Sequence, residues 1–310
     1  MRGTAIFCTY LLYNTPMVYP ARSPLLLVFF TLLPSVVSAA GDIVNEMAVY
    51  FADQYQAAGE VIIPAATLDS ETAQAVQRRF VELLLPTLGP VVGYKAGLTS
   101  RTAQTRIGVS HPVAGRLLRG MLRQSPARIR ADAGARLAVE GDLLVRVGNE
   151  SINRAQTADE LLAGLDAVIP FLEVPDLLFR RGQTPSAAIL VALNVGARFG
   201  VTGNEVSLHN DGSWRERLSR FEVILYDGVG ATLARGQGKD LLGDPLEVVR
   251  WLRNTLNAQG VQLVRGDLLS LGSLTPVLPV VSGQAIRASY LGLDPGQAFD
   301  VNVTIVDPRD

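Results

Sequence analysis

Residues Ala135–Gly148 read "ARLAVEGDLLVRVG". Leu143, Val145 and Val147 recur at every second position, which is the period of a strand with one apolar face. The same run carries Glu140-Gly141-Asp142. Two acids two apart on a strand project to one side. Like charges converging there repel unless a proton or a cation joins them. A hard divalent ion such as Mg²⁺ or Mn²⁺ takes oxygen donors of this kind. The competing reading is a solvated strand face that carries two acids by chance.

Around this strand the chain changes texture once. Ile43 to Ala58 and Ser70 to Leu85 place apolar residues at helical spacing, the second after the cap-like "LDSETA". Pro86, Gly89 and Pro90 are expected to stop that helix. From Val91 strand-like runs dominate: "VVGYKAGL", "AVIPFLEVPD", "GDLLSLGSLT" and "AFDVNVTIVD". "FEVILYDGVGATLARG" reads as a hairpin turning at Asp227-Gly228. "DPLEVVRWLRNTLNAQ", from Asp244 to Gln259, reads as a helix with Pro in its first turn. Its apolar face is Leu246, Val249, Trp251, Leu252 and Leu256, and Gly260 follows as the stop. Helices first and mostly strands after argue for an α+β fold rather than a doubly wound sheet.

Composition narrows the class. The 310 residues are 48% hydrophobic and 18% charged, which excludes disorder as the main state. Net charge is -1 without a basic block, so nucleic acid is not an expected partner. Residues 1–40 contain no Asp or Glu; Arg22 precedes the apolar run "PLLLVFFTLLPSVV" and small residues follow it. That is the layout of a secretory leader cleaved after Ala39 or Ala40, with Met1 or Met17 as the start. It predicts export, to the periplasm, or a cytoplasmic protein if the leader goes unused. The run is too short, and broken by Pro34, for the ~20 apolar residues that span a bilayer. The single cysteine, Cys8, lies in the leader, so the mature chain is expected to have no disulfide and no thiol chemistry. Three parts follow: leader 1–40, helical region 41–90, and a strand-rich domain 91–310.

Two more residues call for chemistry. Glu173 lies in an apolar stretch, and a buried carboxylate needs a partner, either an Arg or a cation. Lys95 is one of only two lysines, the other being Lys239. On a strand near an acid cluster its ammonium suits an anionic substrate or an enolate oxygen; by base rate it is a surface charge. The two histidines, His111 and His209, give no readable Ser-His-Asp arrangement.

Taken together, "GYKAGLTS", "IGVSHPVAGRLL", "VEGDLLVRVG", "VIPFLEVPD", "GDPLEVVRWLRNTL" and the run from Leu252 to Val280 resemble the 2-keto-4-pentenoate hydratase family. That family includes 2-oxo-3-hexenedioate decarboxylases and lies in the fumarylacetoacetate hydrolase superfamily. The resemblance implies a mixed β-sandwich roll with a helical N-terminal region. It implies a divalent metal, Mg²⁺ or Mn²⁺, on Glu140, Asp142 and Glu173, with Lys95 as the catalytic lysine. It places Gly272, Ser273, Leu274 and Thr275 against the substrate, with Asn194 as a remnant of a substrate-binding segment. The implied substrate is a small 2-oxo carboxylic acid, the implied reaction is hydration of a 2-hydroxy-2,4-dienoate in aromatic catabolism, and the implied assembly is a homo-oligomer. Three departures matter. Asp142 stands where the family has Glu, and Val113 stands at the acid of "P-D-F-G". "D-N-A-S-S-G" becomes Leu193-Asn194-Val195-Gly196-Ala197-Arg198. These keep two rivals open: a non-catalytic binding protein on the same fold, and a related decarboxylase. A carbon–carbon hydrolase is a further option, for which no His-Glu pair is visible.

Overall fold

The computed structural model describes residues 36–64, 67–208 and 212–309. The leader expected within 1–40 lies outside the described residues up to position 35. Among the described residues no helix is long and apolar enough to cross a membrane.

Seven helices are described: α1 Val36–Gln56, α2 Ser70–Leu88, α3 Arg101–Ile107, α4 Ala158–Ala163, α5 Ala187–Ala192, α6 Trp214–Arg220 and α7 Pro245–Ala258. The strands are β1 Val91–Gly97, β2 Val113–Leu118, β3 Leu122–Gln124, β4 Ala127–Arg130, β5 Ala138–Val147, β6 Leu165–Val174 and β7 Phe199–Thr202. They continue as β8 Val206–Ser207, β9 Glu222–Asp227, β10 Thr232–Gln237, β11 Leu268–Ser270, β12 Leu278–Pro279, β13 Ala285–Asp294 and β14 Gln297–Val306. One sheet runs β2-β1-β11-β5-β6-β7-β3, with β12 beside β5 and β8 beside β6; the second runs β10-β9-β13-β14-β4. The α+β expectation holds.

The two N-terminal helices form because their apolar faces meet. Phe51, Ala52 and Tyr55 of α1 pack on Val76, Phe80 and Leu84 of α2, with Tyr55 edge-on to Phe80 at 5.6 Å. Asp69 caps α2 by accepting from the Thr72 amide at 2.7 Å. Pro86 does not stop this helix, contrary to expectation: α2 continues to Leu88 with Pro86 inside it, and the Gly89 amide closes the end on the Leu85 carbonyl. The same apolar cluster takes in Leu118 and Met121, and Ile189 and Leu193 from α5 and its end. The helical region therefore shares a core with the strands that follow it.

The main core lies between the two sheets and α7. Leu143, Val145 and Val147 of β5 meet Val223, Leu225, Tyr290 and Val301 of the second sheet, and Leu246, Val249, Leu252 and Leu256 of α7. Fully burying one such side chain is worth ~1.5–3 kcal/mol. Trp251, expected on this face, is only partly buried, and Val248 is buried in addition to the expected residues. The Asp227 carboxylate accepts from the Val229 and Ala231 amides and shapes the expected hairpin turn.

Parity decides the rest. With the odd-numbered residues of β5 in the main core, Glu140 and Asp142 look the other way, along with Leu144, which joins a small apolar cluster with Leu117, Ile169 and Phe171.

Candidate functional site

β5 and β6 are long antiparallel neighbours, and their register sets Glu140 opposite Glu173 and Asp142 opposite Phe171. β1 reaches the same place through β11, with Lys95 paired to Ser270 and Ser270 to Leu144. One cation and three acids thus gather at one corner: Lys95 is 3% exposed, Glu140 7%, Asp142 0% and Glu173 2%.

Lys95 Nζ forms an ion pair with Glu173 Oε1 and donates to the Val195 carbonyl at 3.1 Å. Burial works against its charge, but Glu173 and Glu140, with Asp142, outweigh that and raise its pKa, so the side chain is an ammonium. The acids carry the complementary strain. Burial, then the Glu173 charge, pushes the Glu140 carboxyl well above the usual carboxylate range, with Lys95 pulling back. Asp142 is pushed up to about 7 by burial and by Glu173, against hydrogen bonds from Ser270 and Leu143.

Asp142 is held closely. Its Oδ2 accepts from Ser270 Oγ at 2.5 Å, and its Oδ1 accepts from the Gly272 amide at 2.9 Å and the Leu143 amide at 2.5 Å. The segment Gly272–Thr275 lies along β5. Gly141 donates to Thr275 Oγ1 at 3.0 Å, and its carbonyl accepts from the Leu274 amide at 2.8 Å. Ser273 Oγ donates to the Thr275 carbonyl. From the second sheet, the Tyr290 hydroxyl sits between the Asp142 and Phe171 carbonyls and accepts from the Phe171 amide at 3.2 Å.

Glu140, Asp142 and Glu173 meet at this corner; as their side chains stand, no three His, Cys, Asp or Glu groups among the described residues are arranged around a metal ion. The reasons are local. Asp142, one methylene shorter than Glu, folds back onto its own strand and onto Ser270 and Gly272, and Lys95 occupies one oxygen of Glu173. The chemistry of the donors still suits a hard cation. Ionised, three carboxylates against one ammonium leave this corner two charges short of neutrality, and Glu173 Oε2 is buried without any hydrogen-bond partner.

Asn194 is tied to the main chain of β2. Its Oδ1 accepts from the Arg116 amide at 2.7 Å and its Nδ2 donates to the Arg116 carbonyl at 2.8 Å. The side-chain amide thus brackets Arg116 of β2. Asn194, Val195 and Gly196 are all left-handed, at φ 53°, 55° and 67°. For a β-branched residue such as Val195 that is a strained conformation, and its carbonyl is the one that Lys95 uses. Val113 is buried on β2 opposite Gly97. Sequence reasoning missed Ser270, the Val195 carbonyl and Tyr290. Only Ser270 carried a signal, as a hydroxyl in an otherwise apolar strand. A separate groove of 710 Å³, lined by Arg119, Arg123, Arg146 and Thr202 among others, contains none of the four charged residues.

No protein-family model matches the sequence. Individual relatives do. The TodF product hydratase of Pseudomonas putida is 27% identical over 243 residues, which cover 76% of this chain and 87% of that one. The 2-keto-4-pentenoate hydratase 2 of Dechloromonas aromatica is 25% identical, over 74% of this chain and 85% of its own. The chain is similar to the 2-keto-4-pentenoate hydratases. A 4-oxalocrotonate decarboxylase of Pseudomonas putida is 25% identical over 66% of the chain and 75% of its own length. Among solved structures, the 4-oxalocrotonate decarboxylase from Pseudomonas putida G7, complexed with magnesium and adipate, superposes with a TM-score of 0.74. It is 22% identical and covers 86% of this chain and 98% of that one. The fold observed is that of this decarboxylase: two sheets preceded by a helical N-terminal region, as the hydratase resemblance implied.

Proposed function

We propose that this hydratase homologue is a metal-dependent hydro-lyase that adds water to a 2-hydroxy-2,4-dienoate or 2-oxo-4-enoate acid. One observation carries the reading: a lysine ammonium buried among three carboxyl groups whose charges it could not balance once they ionise. Glu140 and Glu173, joined by the remaining acceptor capacity of Asp142 Oδ2, are the residues that would hold a divalent cation. Magnesium or manganese fits the all-oxygen donor set, and magnesium is bound in the decarboxylase of the same fold. When bound, such an ion supplies Lewis-acid stabilisation of negative charge on a 2-oxo oxygen.

The chain's own residues do the rest. Net hydration moves the 2-hydroxyl proton to carbon, then places a water's hydroxyl on C4 and its proton on C3. Lys95 Nζ, charged and fixed by Glu173 and the Val195 carbonyl, supplies positive charge where oxygen becomes negative. Burial of all four groups keeps bulk water from weakening that field. Gly272–Thr275 fixes one side of the corner through Gly141 and Asp142. Val113 in place of an acid removes a proton relay, and such a loss costs about 10²–10⁴-fold in rate. Slow turnover is therefore expected. The same observation favours a second reading, a binding protein for a small 2-oxo acid that no longer turns it over. A decarboxylase would use the same charge stabilisation.

The test is Mn²⁺ binding followed by electron paramagnetic resonance, for the wild type and Glu140→Gln, with ultraviolet loss of 2-hydroxypenta-2,4-dienoate as the activity. Binding lost in Glu140→Gln together with turnover in the wild type supports the lyase. Binding without turnover supports the binding protein. Failure to bind the ion overturns both.

We further propose that the chain is exported, on the strength of the acid-free, apolar segment before Gly41. N-terminal sequencing of the periplasmic product should begin at Ala40 or Gly41. A cytoplasmic chain that retains Met1 or Met17 overturns this.

A further inference from the structure

Thr99 follows Lys95 by four residues, just past the end of β1. It is 2% exposed, and its Oγ1 has no hydrogen-bond partner. Only two other buried side-chain atoms among the described residues share that condition, and one of them is Glu173 Oε2. Thr99 Oγ1 lies against Gly272, whose amide holds Asp142, so an unused donor stands next to the residues that hold the acid cluster. A buried hydroxyl without a partner opposes folding, because the water it gave up is not replaced. Valine has the same shape and none of that cost.

The surroundings are built around this hydroxyl. Gly272 sits at φ +95°, and a Cβ there would land on Thr99 Oγ1. The glycine thus leaves room for the oxygen, while its own amide holds Asp142 Oδ1 at 2.9 Å. The Thr99 carbonyl is fixed by the Leu242 amide at 3.0 Å, so the residue is anchored through its main chain and its side chain is left free to serve something else.

We propose that Thr99 is a ligand-binding residue whose hydroxyl donates to an oxygen of the small 2-oxo acid held beside Lys95 and Asp142. The assignment rests on the proposed function and deepens it. It adds a free neutral donor to a corner whose other neutral donors, the Ser270 hydroxyl and the Gly272 amide, are already taken by Asp142. Such a donor recognises oxygen without altering the charge balance.

The experiment compares full-length wild type, Thr99→Val and Thr99→Ser in the presence of Mn²⁺, with pyruvate as the probe. Pyruvate affinity is read by calorimetry, and ligand-free melting temperature by differential scanning. Thr99→Val should melt at or above the wild-type temperature, since it loses only an unpaired hydroxyl. Its pyruvate dissociation constant should rise about tenfold, equivalent to ~1.4 kcal/mol. Thr99→Ser should recover most of the affinity. A lower melting temperature in Thr99→Val, or an unchanged pyruvate affinity, overturns the assignment while leaving the proposed function intact. A wild type that binds no pyruvate overturns both.

Discussion

Glu140 stands directly opposite Glu173 across the antiparallel pair β5–β6. Like charges in that position are destabilising, and the fold accepts them because Lys95 reaches in from β1. The three residues act as a unit, and their replacements should not be additive.

Lys95→Met leaves the acids buried without a cation. Breaking one side of a buried pair costs ~3–5 kcal/mol. Adding Glu173→Gln to Lys95→Met removes the stranded charge and should recover part of the loss. Urea denaturation of the four-member cycle checks this. Simple addition of the two single effects would show that the pair is not coupled.

The metal-free protein should lose stability as pH rises towards neutrality. Glu140 and Asp142 have raised pKa values, so the folded state keeps protons that the unfolded chain has already released. The stabilisation is complete below the unfolded value near 4 and fades as pH climbs to about 7, the folded value for Asp142. Each unit of difference is worth about 1.4 kcal/mol. Asp176 and Asp267 lean the same way through burial, while Asp69, Asp132, Glu150, Glu160 and Asp307, held low by hydrogen bonds, lean the other way near pH 4, so Glu140→Gln is the control: its fall between pH 5 and 7 should be shallower. Melting curves from pH 4 to 8 in chelator test the sign. A rising curve across this window contradicts it, and Mn²⁺ should restore stability most at the alkaline end.

Asn194→Ala should behave as a structural change. It leaves the Arg116 amide and carbonyl without their side-chain partners, at a cost of about 1–3 kcal/mol. A variant with an unchanged melting temperature and a raised KM would instead make Asn194 a substrate contact.

Gly97→Ala should disturb Lys95 at a distance. The added Cβ would lie 2.5 Å from Val195 Cγ1, and overpacking of this kind costs ~1–3 kcal/mol. Val195 gives its carbonyl to Lys95, so turnover should fall as well. Gly97→Ala combined with Val195→Ala should recover stability. If it does not, the clash lies elsewhere.

The sequence made some of this legible and not the rest, for physical reasons. Alternation in β5 put Glu140 and Asp142 on one face, because the side-chain period of a strand is local. It could not show that Glu173 lies opposite Glu140, since that register depends on the whole connection through α4 between the two strands. The parallel pairing of β1 with β11, which brings Lys95 beside Ser270, spans most of the chain and leaves no local mark. The inward turn of Asp142 was foreshadowed by its short side chain, but its three donors come from β5, β11 and the loop that follows. Pro86 misled because a proline near a helix end forfeits little when the last turn is closed by Gly89. Nothing in the letters Asn-Val-Gly announced three consecutive left-handed residues.

The Tyr290 hydroxyl, wedged against the main chains of Asp142 and Phe171, keys β13 to the strand pair that bears the acids. The far sheet is therefore not inert padding: drift in residues remote from the acid cluster can still retune the spacing of Glu140, Asp142, Glu173 and Lys95. Variants of this chain that differ only in β13 should be expected to differ in the pairing of these charged groups, and grafting the acid-bearing strands alone onto another scaffold would leave their alignment behind.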